Sequence, residues 1–118
     1  MYGKKPEIKS IRNRKKIRDI LVNGKFYKTK SLKFYFLKND NLGSDLEFLI
    51  SVPKKKIKLA VTRNYLKRII REVICNNNQI LNKLYTKTMF IVVFNKNCKI
   101  KYVKLEKEIL TFTRKIEQ

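Results

Sequence analysis

Residues 89–94 read MFIVVF, the longest apolar run in the chain. Six residues are strand-sized, and five of them are aromatic or β-branched. A run with no polar alternation predicts a strand buried on both faces. Working outward, the elements on either side must supply what covers it. Residues 59–75, with AVTRNYLKRIIREVI at 60–74, predict the strongest helix. Tyr65, Leu66, Ile69, Ile70 and Val73 fall on one side of its wheel and should pack on the sheet. Between helix and strand, 76–88 is polar, with Ile80, Leu81 and Leu84 extending a helical turn.

Two further strands are predicted upstream. In SLKFYFL, 31–37, Leu32, Phe34 and Phe36 point one way and Lys33, Tyr35 and Leu37 the other. After the polar turn NDNLGSD at 39–45 comes LEFLISV, 46–52, and the two runs read as a hairpin. Pro53 and KKKIK then break the pattern. A short helix over 11–23 carries Ile11, Ile17, Ile20 and Leu21, and Asn23-Gly24 stops it. Val103, Ile109, Leu110, Phe112 and Ile116 predict a last helix over 100–117. The order helix, strands, helix, strand, helix predicts a two-layer α+β sheet domain over 11–118. A flexible basic arm over 1–10, containing Pro6, should precede it.

The length of 118 residues fits one domain, and 43% apolar content supports a core. Thirty Lys and Arg against nine Asp and Glu give +21, with an isoelectric point near 10.2. Such self-repulsion is relieved by an acidic polymer, so nucleic acid is the first partner class and an anionic membrane surface the second. Abundant Lys, Asn and Ile also suit a background residue bias. Arg is the sharper signal. Six of the seven lie in two segments: Arg12, Arg14, Arg18 and Arg63, Arg68, Arg71. Clustered planar forks suit phosphate and base edges.

On the 59–75 helix, Arg63, Lys67 and Arg71 recur at i, i+4, i+8, with Asn64 and Arg68 in the next row. All five fit within roughly 140° of arc. A solvated face normally mixes signs, and here Glu72 is the one nearby acid. The stripe therefore reads as a polyanion surface, with Asn64 adding a directional donor and acceptor. Lys54, Lys55, Lys56 and Lys58 stand at the helix start and extend it. Tyr35 beside Lys33 on one sheet face would stack unpaired bases, although a half-buried strand tyrosine is an equal reading.

Side-chain catalysis has few supports. There is no His, so imidazole chemistry and His metal sites are excluded. Cys75 and Cys98 lack CxxC spacing and read as reduced thiols. No apolar run approaches the roughly 20 residues of a membrane span, and MYGKKPEIKS lacks a signal core, so a cytoplasmic protein is expected. The chain binds, or assists a catalyst that is not protein.

The stretch SVPKKKIKLAVTRNYLKRIIRE, 51–72, resembles the signature of the bacterial ribonuclease P protein component. That family shows a strand ending in a Val-Ser-Lys-Lys-like step, then Ala-Val, then a helix with Arg-Asn-Arg, Lys-Arg and a further Arg. The likeness extends over roughly 11–117. It implies an α-β-β-β-α-β-α domain with a mixed sheet of about four strands and a left-handed β-α-β crossover, against the usual hand. It implies a partner to a catalytic ribonuclease P RNA that removes the 5′ leader of precursor tRNA, with Mg²⁺ held mainly by that RNA. No membrane or DNA partner is implied.

By the same resemblance, RNA binding falls on Lys54, Lys55, Lys56, Arg63, Asn64, Lys67, Arg68 and Arg71. A leader-binding cleft falls on Ile17, Leu21, Lys33 and Tyr35. Separately, the Arg clustering marks Arg12 and Arg14 as N-terminal basic site residues. The chain departs from the pattern at several points. Tyr65 replaces the second Arg, IKLAV stands where Ile-Gly-x-Ala-Val is usual, and one extra Lys enters the run. Ile17 and Leu21 stand where the cleft has aromatics, which removes stacking worth about 1–3 kcal/mol per base. A ribosomal or other structural RNA-binding protein shares the size, charge and α+β pattern.

Overall fold

In the computed structural model, residues 8–38, 46–77 and 88–116 are described. The elements are β1 (Ile8–Ser10), α1 (Arg14–Asn23), β2 (Lys25–Lys28), β3 (Leu32–Lys38), β4 (Leu46–Ser51), α2 (Ala60–Asn76), β5 (Thr88–Phe94) and α3 (Tyr102–Ile116). They form an α+β fold with a mixed sheet in the order β1-β4-β5-β3-β2. β1, β4 and β5 run parallel, while β3 is antiparallel to β5 and to β2. The sheet has four main strands plus the three-residue β1 at one edge.

β5 takes a central place because its side chains are apolar on both faces. Phe90, Val92 and Phe94 enter the larger core, and Met89, Ile91 and Val93 the smaller one. The larger core lies under α2 and α3, with Leu66, Ile70 and Val73 from one and Leu105, Ile109 and Phe112 from the other. The smaller lies under α1, where Ile11 and Ile20 are buried against Met89 and Ile91. The two-layer description thus holds for the main core, and α1 adds a partial third layer. The expected alternation in β3 is present: Leu32, Phe34 and Phe36 join the larger core, Tyr35 and Leu37 the smaller.

The hairpin expected between 31–37 and 46–52 does not form. β5 lies between those strands, and β4 pairs with it in parallel across the α2 crossover. β3 instead makes its hairpin with β2, Phe26 facing Tyr35 in register. The resemblance implies a third strand between the first two helices, but the residue pattern alone does not place β2, because KFYK is an edge strand with Tyr27 as its one core contact. Residues 8–10, read as part of the arm, add β1 to the sheet edge; residues 1–7, the turn at 39–45 and most of the 76–88 segment lie outside the described residues. No described helix is long and apolar enough to cross a membrane.

α1 starts at Arg14 rather than at residue 11. The Asn13 side chain caps it by accepting from the Lys15 amide at 2.9 Å, while Ile11 N donates to Phe48 O and prolongs the β1 ladder. Gly24 ends the helix with its amide on Ile20 O at 3.0 Å. Its φ of −77° is ordinary, so the need for glycine is spatial. A Cβ there would lie 2.3 Å from Ile20 O and 2.7 Å from Phe36 O, both backbone atoms. Gly24→Ala should therefore push α1 off β3 and cost about 1–3 kcal/mol, the usual range for overpacking, in a urea titration. A cost near zero would show that the α1–β2 junction is loose.

Candidate nucleic-acid interface

α2 divides cleanly into two faces. Leu66, Ile69, Ile70, Val73 and Ile74 are buried, whereas Asn64, Lys67, Arg68 and Arg71 are exposed. The burial of one face fixes where the other points, so the cations share a single stripe. Lys67, Arg68 and Arg71 line a groove with Ser10 and with Phe48, Leu49 and Ile50 of β4. Arg71 lies over the Phe48 ring at 5.8 Å, which orients its guanidinium along the groove floor. Burial pushes the neighbouring Cys75 thiol up, and the Arg71 charge opposes that.

Arg63 behaves differently from its row. It is half-buried, and its Nη1 donates to Ile57 O at 3.0 Å and Lys58 O at 2.7 Å. Two carbonyls of the lysine loop are thereby tied to the first turn of α2. Lys54, Lys55 and Lys56 are exposed on that loop. Arg63→Ala should free the loop. Trypsin cleavage after Lys54–Lys56 should then rise roughly tenfold, since charge-assisted bonds restrain the opening. An unchanged nicking rate would mean that Pro53 and Ile57 hold the loop alone.

Lys55 and Lys56 do not face the Arg71 groove. They line a second basic concavity with Lys58, Thr62 and Lys99. Tyr65 joins the two regions and corrects the helical wheel: it is 37% exposed rather than packed on the sheet. Arg68 Cζ lies 5.5 Å from its ring centre and Lys99 Nζ 4.9 Å. Lys99 was missed because the loop after β5 reaches α2 only through the tertiary fold. Nothing in the local pattern around Lys99 signals it.

The sheet face beneath α1 holds the second group of expected residues. Ile17 and Tyr35 are half-buried and pack together on the smaller core. Lys33 is half-buried and lies two residues from Tyr35 on the same side of β3, whereas Leu21 is 47% exposed. Phe26 was missed with its strand. It is 52% exposed, with its ring centre 5.1 Å from that of Tyr35. Arg12 and Arg14 are exposed at the start of α1, and Lys16 is held by Glu47 of β4 at 3.1 Å. The structure thus gathers Lys67, Arg68 and Arg71 in one groove and Ile17, Tyr35 and Lys33 on one sheet face, and separates Lys55 and Lys56 from the first.

The family model described as Ribonuclease P matches residues 6–117. The ribonuclease P protein component of Mycoplasma genitalium is 30% identical over 109 residues, covering 92% of this chain and 81% of that protein. Two solved structures share the fold at 22% identity. The RNase P protein of Thermotoga maritima has a TM-score of 0.77 over 92% of this chain and 98% of the other. That of Staphylococcus aureus has 0.72 over 92% and 94%. With a family match over nearly the whole length and the same fold beneath it, the chain belongs to the ribonuclease P protein family.

Proposed function

We propose that the chain is the protein subunit of a ribonuclease P ribonucleoprotein, an endoribonuclease that removes the 5′ leader from precursor tRNA. The observation that carries this reading is the one-signed exposed stripe on α2, whose opposite face is committed to the core. Lys67, Arg68 and Arg71 neutralise phosphates of the folded ribonuclease P RNA, and Asn64 supplies a directional contact. Arg63 acts by positioning the loop of Lys54, Lys55 and Lys56. The sheet face with Ile17, Leu21, Lys33 and Tyr35 receives the single-stranded leader, and Arg12 and Arg14 add charge beside it.

The RNA carries the chemistry. Mg²⁺, held by that RNA, would supply the activation of water for phosphodiester hydrolysis. Among the described residues no three His, Cys, Asp or Glu gather to hold a metal. What the protein adds is charge: it lowers repulsion between two polyanions and orients the leader. A cytoplasmic location follows from that substrate.

The test is reconstitution with a bacterial ribonuclease P RNA and precursor tRNA at low Mg²⁺, where phosphate repulsion is least screened. Added protein should raise leader cleavage at the mature 5′ end. Tight binding to the RNA with no gain in cleavage would sink the subunit reading in favour of a structural RNA-binding role.

A further inference from the structure

We propose that the α1-side face of the β2–β3 ribbon is a composite site for unpaired RNA, in which Phe26 and Tyr35 stack bases and Lys28 and Lys33 hold the adjoining phosphates. The inference rests on the leader-binding reading above and extends it onto β2, a strand without a role in that reading. The register sets two cross-strand pairs, Phe26 opposite Tyr35 and Lys28 opposite Lys33. Tyr27 stacks on Phe112, and Leu32 and Phe34 are buried in the larger core. By strand alternation, Phe26, Lys28, Lys33 and Tyr35 therefore share the other face.

The lysine pair is costly without a ligand, whereas the aromatic pair steadies the ribbon and still leaves one ring open. Phe26 has no polar group, yet leaves half of its surface in water. Like charges directly opposite one another weaken an antiparallel pair. Lysines on an edge strand often serve to block strand addition, and Lys28 alone would be explained that way. Lys33 would not, because β3 is paired on both sides. Among the described residues neither lysine has an acidic partner. The cation pair lies two residues along from the aromatic pair, roughly 7 Å. An open ring beside paired cations at that spacing is the arrangement that takes a single strand, base on ring and phosphate on lysine. It also supplies an aromatic wall from the sheet where α1 offers the aliphatic Ile17 and Leu21.

The full-length chain is titrated with a fluorescent ten-nucleotide oligoadenylate and, separately, with folded ribonuclease P RNA. Phe26→Leu keeps apolar bulk but removes the ring. It should weaken oligoadenylate binding about tenfold, the loss of one stack, and leave folded-RNA affinity within twofold. Lys28→Ala should lower the salt slope for the oligonucleotide by about 0.7. Both side chains are exposed, so melting temperatures should stay near the parent value. If Phe26→Leu and Lys28→Ala change nothing while Lys33→Ala weakens binding, the composite site is overturned and the leader cleft stands. If the parent chain itself does not bind oligoadenylate, both fall.

Discussion

Phe112→Ala should lower the unfolding free energy by about 3–5 kcal/mol, the cost of deleting a fully buried aromatic. Phe112 has no exposed surface, and its ring meets four others. It stacks on Phe34 at 4.0 Å and 7° between planes, and touches Phe36, Phe90 and Tyr27 at 5.4, 5.9 and 6.3 Å. Those partners belong to β2, β3 and β5, so one side chain of α3 ties three strands together. A single domain is stable by only about 5–15 kcal/mol, so the variant should be near the limit of folding. Urea titration followed by circular dichroism measures the loss. Phe112→Leu refills part of the cavity and should recover about half. A cost below 1 kcal/mol for Phe112→Ala would mean that α3 is not docked on the sheet.

The double variant Lys67→Ala/Arg68→Ala should weaken binding to folded ribonuclease P RNA about a hundredfold. Each contact is taken at roughly 1.4 kcal/mol, just below the range for a hydrogen bond to a charged group. The slope of log affinity against log salt should fall by about 2, one for each phosphate contact removed. Stability should change little, since both side chains are exposed on a helix whose packing face is untouched. The comparison is Lys104→Ala/Lys107→Ala, which removes the same charge from α3. Both of these lysines are exposed and lie outside the α2 groove. Equal losses in the two variants would reduce the interface to net charge alone and remove the special role of the α2 stripe.

Much of the fold was legible because strong periodicity survives folding. MFIVVF had to be covered on both faces, and SLKFYFL had to alternate. AVTRNYLKRIIREVI had to bury Leu66, Ile69, Ile70 and Val73. Weak elements were not legible. β1 and β2 have three and four residues, and their place depends on neighbours distant in the chain. Strand pairing also failed locally. Nearness in sequence favoured a β3–β4 hairpin, but the doubly apolar β5 gains more by lying between those strands than at an edge.

The proposed binding residues divide along the same line. The cationic stripe is a property of one helix. Residues three and four apart share a face whatever the helix packs on, so Lys67, Arg68 and Arg71 were found by spacing alone. The sign of the partner followed from +21, because charge sums without geometry. Tertiary structure decided everything that joins separate elements. It turned Arg63 back onto the lysine loop and laid Lys99 across Tyr65. It also set Phe26 against Tyr35. Those contacts link residues up to 34 positions apart, as in Tyr65 and Lys99, and no local pattern encodes them. Composition and period determine which surfaces a chain must hide and which charge it must show; the packing of its elements determines which side chains meet.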